Sequence, residues 1–182
     1  MFTYIDNLER MHASLFTLLK KSHFETYEHS KRCARHMTEL AIYFNFNKAK
    51  RERLIQAAFF HDIGKIFLPI DILDKKGKLT PKEFELISKH AIMGGCFLEK
   101  EKCLDSDIIH LIKKHHCVNE NQSEDILILA MIDIYDALKY PRVYKPSFSH
   151  EKTFDILFDK FRDLEGMYIY LDYLKQMDLN VL

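Results

Sequence analysis

Apolar residues recur at helical spacing along most of the chain. Between Phe24 and Phe46 the positions Cys33, Met37, Leu40, Ala41 and Phe44 trace one face of a helix. A first helix is expected from Asp6, which would cap it, to Lys21. A third runs from Lys48 to Phe60 behind an Asn47 cap, and its apolar run LIQAAFF delivers His61 and Asp62 at the end. The stretch KIFLPIDILDKKGK (Lys65–Lys78) reads as a non-helical connection punctuated by Pro69 and Gly77. Thr80 as N-cap, Pro81 at the first helical position and Glu83 reaching back form a capping-box start. That helix carries His90 and is expected to break near Gly94-Gly95. Asp105 or Ser106 opens the next one, which ends in His115-His116. Ser123 opens another to about Lys139, and Ser149 begins a final helical pair divided near Gly166. With only five glycines and four prolines, the fold class expected is all-α.

No repeat, low-complexity tract or Gly/Ser linker divides the 182 residues, so one domain is expected over 1–182. Its parts would be an N-terminal helix (1–21), a core (22–148) and a C-terminal helical pair (149–182). A hydrophobic content of 47% is enough for a real core. Lys plus Arg and Asp plus Glu number 27 each, so no overall field attracts a nucleic-acid polymer or a membrane. No apolar run approaches the roughly 20 residues that span a bilayer, and the acidic start MFTYIDNLERMH lacks the apolar segment of a signal peptide. The four cysteines form no CxxC pair, which argues against structural disulfides and fits a reducing cytoplasm best.

Ten histidines are many for this length, and they cluster. In KKHHCVNENQ, two imidazoles close an apolar helix. Neighbours on a helix diverge by about 100°, so His115 and His116 cannot both be surface residues of an amphipathic segment. His29 shares a face with Cys33, Met37 and Leu40, and alone it reads as a core histidine. His61 alone reads as a partner of the helix C-terminal dipole, which leaves the carboxylate of Asp62 beside it unexplained. Asp133 falls on the face of Ile126, Ala130 and Ala137, and a carboxylate there needs a cation, donors or a metal. Asp136, one turn on, reads as a local cap or salt bridge. Taken jointly, His29, His61, Asp62, His90, His115, His116 and Asp133 come from separate helices at inward or terminal positions. A set of His and carboxylate without thiolate suits iron or manganese before zinc. Seven ligands exceed the needs of one ion and suit two that clamp a phosphoryl displacement.

The order H…HD…H…HH…D resembles that of the HD-GYP branch of the HD-domain phosphohydrolases. The stretch GKIFLPIDILDKKGKLTPKE (Gly64–Glu83) is similar to the family's segment after its HD motif. DIYDAL (Asp133–Leu138) followed by RVYK (Arg142–Lys145) is similar to its C-terminal motif. The resemblance spans about Glu25 to Leu157. It implies an HD-domain helical bundle with the metal centre in its core, in which His29, His61, Asp62 and Asp133 hold one ion and Asp62 bridges to a second. His90, His115 and His116 would hold that second ion. Glu25 matches a glutamate of members with three ions, although a surface glutamate one turn before His29 is the common alternative. Lys65 would face substrate phosphate and, with Asp62, be catalytic. Arg142 and Lys145 would grip the remaining phosphates, and as loop cations they read equally as solvated surface. The chain departs from the family after His116: CVNENQSED contains no Gly-Tyr-Pro, and the loop is short.

The activity implied is a metal-dependent phosphodiesterase or phosphohydrolase. A hydroxide shared by two ions would attack phosphorus of a cyclic dinucleotide, cyclic di-GMP first, or of another nucleotide. One alternative is a degenerate, non-catalytic signalling or binding module, which the missing loop favours. The other is a di-iron oxygenase, which the phosphate-gripping cations disfavour. Family members often dimerise; no stripe in the sequence demonstrates a homodimer or a signalling partner.

Overall fold

The computed structural model describes residues 8, 10, 12–141 and 147–179, and among them every regular element is helical. In chain order these are α1 (Ala13–Ser22), α2 (Phe24–Tyr43), α3 (Lys48–Phe60), a 3₁₀ turn (Ile63–Phe67), α4 (Ile70–Leu73) and α5 (Pro81–Ser88). They are followed by α6 (His90–Glu101), α7 (Ser106–Lys114), α8 (Glu124–Lys139), α9 (His150–Phe161) and α10 (Met167–Leu179). Among the described residues no helix is long and apolar enough to cross a membrane.

Local chemistry sets the boundaries. Asn47 caps α3 by accepting from the Lys50 amide, and Thr80 and Glu83 complete the reciprocal capping box at α5. The helix expected to reach Phe46 stops at Tyr43. Asn45 turns left-handed (φ 50°), and the Phe46 and Asn45 amides return to the carbonyls of Ala41 and Ile42. This is a Schellman closure with asparagine in the position that glycine usually takes. The connection 65–78 is not without helix, because the 3₁₀ turn and α4 occupy much of it. The expected capping residue Asp6 lies outside the described residues.

The break expected at Gly94-Gly95 falls instead at Lys89, whose amide bonds the carbonyls of Leu86 and Ile87 before α6 begins at His90. The two glycines lie inside α6 and serve packing. A Cβ on Gly94 would sit 2.7 Å from the Gly64 amide nitrogen, and one on Gly95 would strike the aliphatic stem of Lys113 on α7. Glycine costs a helix about 1 kcal/mol relative to alanine, and here it lets the 3₁₀ turn and α7 approach α6 closely.

The core is continuous. α3 packs on α2, α7 and α8, while α9 and α10 cover α8. Phe16, Phe59 and Phe60 form an aromatic knot beneath α1, with the Phe16 and Phe59 rings edge to face at 4.1 Å. Phe154, Leu157 and Phe161 of α9 are buried in the same core. The consequence for the site is positional: α3 and α7 both end, and α6 begins, at one end of the bundle, where α2 and α8 pass alongside.

Candidate metal centre

Three helix ends build the site by one local device. The last carbonyls of a helix lack intrahelical donors. His61 Nδ1 donates to the Ala58 carbonyl (2.8 Å), His90 Nδ1 to that of Ile87 (2.6 Å) and His115 Nδ1 to that of Ile112 (2.7 Å). Each imidazole sits three residues beyond the carbonyl it satisfies. A neutral ring with its proton on Nδ1 presents the Nε2 lone pair, so each terminus aims one lone pair inward. His29 reaches the same state from mid-helix, where its Nδ1 donates to Asp136 Oδ2 at 2.6 Å.

These lone pairs converge. Asp62 joins two halves: its Oδ1 lies 3.0 Å from His90 Nε2, and its Oδ2 lies 3.4 Å from His61 Nε2 and 3.7 Å from His29 Nε2. Asp133 Oδ1 faces His29 Nε2 at 3.1 Å and His61 Nε2 at 3.6 Å. His116 Nε2 stands 3.2 Å from His90 Nε2, and its Nδ1 lies 3.9 Å from Asp133 Oδ2. The donors of His90, His115 and His116 fall within 4.8 Å of one another, as do those of His61, His115 and Asp133. His115 is fully buried, whereas the His116 side chain is 48% exposed and forms the rim. The adjacent pair is thus divided between wall and mouth.

The donors fit a divalent cation. His61 Nε2 and His115 Nε2 are shielded from solvent and have no hydrogen-bond partner, although a buried polar atom left so is costly. The electrostatics also demand positive charge. Burial would raise the Asp62 pKa, but Lys65, whose Nζ lies 2.6 Å from its Oδ2, and His61 hold it well below the carboxylate range. Burial would likewise raise Asp133, and the adjacent imidazoles of His29 and His61 keep it low. Burial should make His61 a poorer base, yet Asp62 and Asp133 raise its pKa to about 10. His115 is pushed well down by burial and by its neighbours His61 and His116. A cation at the carboxylate side therefore replaces a proton that this cluster already attracts.

Cys33 is close but not in line. Its sulfur lies 3.7 Å from Nδ1 and 3.8 Å from Nε2 of His29. Near-equal distances to both nitrogens place the sulfur over the face of the imidazole, away from the direction of either lone pair. It packs the ring, and its sulfur and the donor nitrogens of His29 and His61 lie within 4.8 Å of one another.

Other residues singled out in the sequence fall differently. Glu25 lies one turn before His29, and its carboxylate lies within 4.8 Å of donors of His23 and Asp74. Its two oxygens are shielded and unbonded. Arg142 and Lys145 lie outside the described residues. Asp136 is no local helix cap. It is 1% exposed and couples two helices, accepting from His29 and, through both oxygens, from Arg32 Nε and Nη2 at 2.9 Å each. Burial would raise its pKa, and His29 and Arg32 hold it down. A signal existed in the spacing. His29/Arg32 on α2 and Asp133/Asp136 on α8 are both i,i+3 pairs, so two packed helices present matching faces.

A helical bundle that gathers five imidazoles and two carboxylates from several helices around one buried point defines a class of metal-centred domain. The chain belongs to the HD domain family, whose model matches residues 26–138. It is 38% identical over 116 residues to a probable cyclic di-GMP phosphodiesterase of Vibrio cholerae serotype O1, covering 54% of this chain and 26% of that protein. It is 30% identical over 165 residues to a cyclic di-GMP phosphodiesterase of the same organism, covering 77% of this chain and 34% of the relative. A 3'3'-cGAMP-specific phosphodiesterase of V. cholerae is 29% identical over 140 residues. The chain thus spans about a quarter to a third of the length of these relatives. The fold is that of the PgpH phosphodiesterase HD domain of Listeria monocytogenes, solved with cyclic-di-AMP (TM-score 0.67, 18% identity, covering 90% of this chain and 92% of that one).

Proposed function

We propose that this chain is a metal-dependent phosphodiesterase domain of the HD-GYP branch acting on a cyclic dinucleotide, with cyclic di-GMP the first substrate and another nucleotide the second. The observation that carries this reading is the position of Asp62, whose two oxygens face separate sets of imidazoles. On this reading His29, His61, Asp62 and Asp133 hold one ion, and His90, His115 and His116, with the other oxygen of Asp62, hold a second. Iron and manganese suit these donors best. Such a pair would lower the pKa of a water and draw charge from the phosphoryl oxygens. Glu25 is assigned to a third ion by its match to the family glutamate, and its shielded, unbonded carboxylate, with donors of His23 and Asp74 within 4.8 Å, supports this.

The protein's own groups do the rest. Lys65 is held against Asp62 at the edge of the centre, with 15% of its side chain exposed, and can donate to a non-bridging phosphate oxygen without leaving the carboxylate. The exposed rim at His116 gives the phosphate its approach, while the buried His115 side excludes water. Arg142 and Lys145 are assigned to the remaining phosphates by their match to the family motif. The test is an assay of protein loaded anaerobically with iron or manganese against cyclic dinucleotides and nucleotides. Hydrolysis of a cyclic dinucleotide is expected, and turnover that survives His61→Ala or Asp62→Ala would sink the assignment.

One observation favours a second reading, a binding module without turnover. The nine residues between α7 and α8 (115–123) include a turn in which Asn119 Oδ1 accepts from the Asn121 amide, and their sequence contains no Gly-Tyr-Pro. Metal content separates the two readings, since less than one ion per chain after purification supports the module.

A further inference from the structure

The most fully determined polar contacts near the centre belong to residues that touch no reacting atom. Asp136 is buried at the packed faces of α2 and α8. One oxygen accepts from His29 Nδ1 at 2.6 Å, and both are engaged by Arg32 in a two-pronged pair at 2.9 Å. Arg32 is held on a second side, its guanidinium carbon lying 4.5 Å from the centre of the Tyr140 ring. Cys33 covers one face of the His29 imidazole and His61 meets it nearly edge-on, with ring centres 5.2 Å apart. The ring is therefore fixed at its nitrogen, its face and its edge.

His29 differs from the other inward imidazoles in how its proton is placed. His61, His90 and His115 use a backbone carbonyl that any sequence would supply at a helix end. His29 sits in the middle of α2, where backbone carbonyls are already taken by the helix ladder. Its tautomer consequently depends on a side chain. A carboxylate in that position also increases the basicity of the opposite nitrogen. Asp136 in turn needs Arg32, because a buried carboxylate with one neutral donor is poorly compensated.

We propose that Asp136 and Arg32 are positioning residues that set the ligand strength of His29: Asp136 locks its proton on Nδ1, and Arg32, braced on Tyr140, locks Asp136. This rests on the metal-centre reading above but not on the identity of the substrate. It makes the first ion, on the His29–His61 side, more sensitive to side-chain changes outside the ligand set than the second.

The test uses zinc as a diamagnetic probe and a competing chromophoric chelator. Asp136→Asn and Arg32→Met are expected to weaken zinc binding by about 10–100-fold. Arg32→Lys keeps the charge but loses the fork, and should fall between them and the wild type. Long-range proton–nitrogen NMR of the zinc-loaded wild-type protein, with His29 assigned by a His29→Gln variant, needs no folded Asp136 variant. It should show the His29 proton on Nδ1, slowed in exchange. Wild-type zinc affinity in both Asp136→Asn and Arg32→Met overturns the proposal, and so does a His29 proton on Nε2. Zinc affinities that shift as expected in a protein that hydrolyses no nucleotide would leave the positioning role intact and remove the phosphodiesterase reading.

Discussion

A side chain on Gly64 would bury its first carbon 2.0 Å from the carbonyl oxygen of His90. The 3₁₀ turn that follows Asp62 thus rests directly on the backbone of the first turn of α6, and this contact brings Asp62 within 3.0 Å of His90 Nε2. Gly94 answers from the next turn, where an added Cβ would meet the Gly64 backbone. The link between the two halves of the site is therefore made by missing side chains as much as by the carboxylate of Asp62.

Gly64→Ala is expected to force these backbones apart. Overpacking of this kind costs about 1–3 kcal/mol, occasionally more. The variant should also lose metal preferentially from the His90–His115–His116 side. Chemical denaturation paired with metal analysis checks both, and an unchanged protein with full metal content would contradict the packing argument.

Asp62 and Lys65 should separate binding from turnover. Asp62→Asn is expected to lose bound metal and activity together. Lys65→Met should keep its metal but lose about a hundredfold or more in kcat, the scale of removing one electrostatic donor from a transition state. Metal content measured on the same preparations as kcat decides. Loss of metal in Lys65→Met would mean that its role is to hold Asp62 only.

Divalent metal should stabilise the fold, because ions that bind only the native state add stability by mass action. At a hundredfold excess over Kd this is about 2.7 kcal/mol, which raises Tm by about 5–11 °C for a chain of this size. Thermal melts with iron, manganese or a chelator read the effect. A Tm indifferent to all three would count against the ligand cage.

The far side of α8 predicts an acid response. Asp178 on α10 is 1% exposed and accepts from Tyr135 (2.7 Å), Lys139 (2.6 Å) and His150 (2.6 Å). Burial would raise its pKa, and these partners, Lys139 first, hold it below the ordinary value. A depressed carboxylate contributes stability that is fully present above its unfolded pKa of about 3.9 and is lost as pH falls through the lower folded value. Asp178→Asn should therefore be less stable than the wild type near neutrality, and the gap should close below about pH 4. Melts from pH 7 downward test this; a gap that widens in acid would refute it.

Cys33 yields a spectroscopic prediction. Its sulfur lies over the ring of His29 and out of line with the lone pairs. Cobalt-substituted protein should therefore show no thiolate-to-metal charge-transfer band, and its spectrum should match that of Cys33→Ala. A band that disappears on substitution would place the sulfur in the coordination sphere.

Local patterns in the chain already gave the helical character, most of the helix starts and the seven residues that come together. These follow from short-range rules: period 3.6, capping hydroxyls and amides, and the cost of a carboxylate on an apolar face. Where the reading failed, the deciding contact came from a distant part of the chain. Gly94-Gly95 reads as a break because glycine weakens an isolated helix, but Gly64, thirty positions earlier, uses Gly94 for close approach, and Lys113 of α7 uses Gly95. Asp136 reads as a local partner because its donors on α2, His29 and Arg32, are more than a hundred residues away. Only the tertiary structure settled these, because packing decides which of several locally adequate partners a buried charge or a missing side chain actually meets.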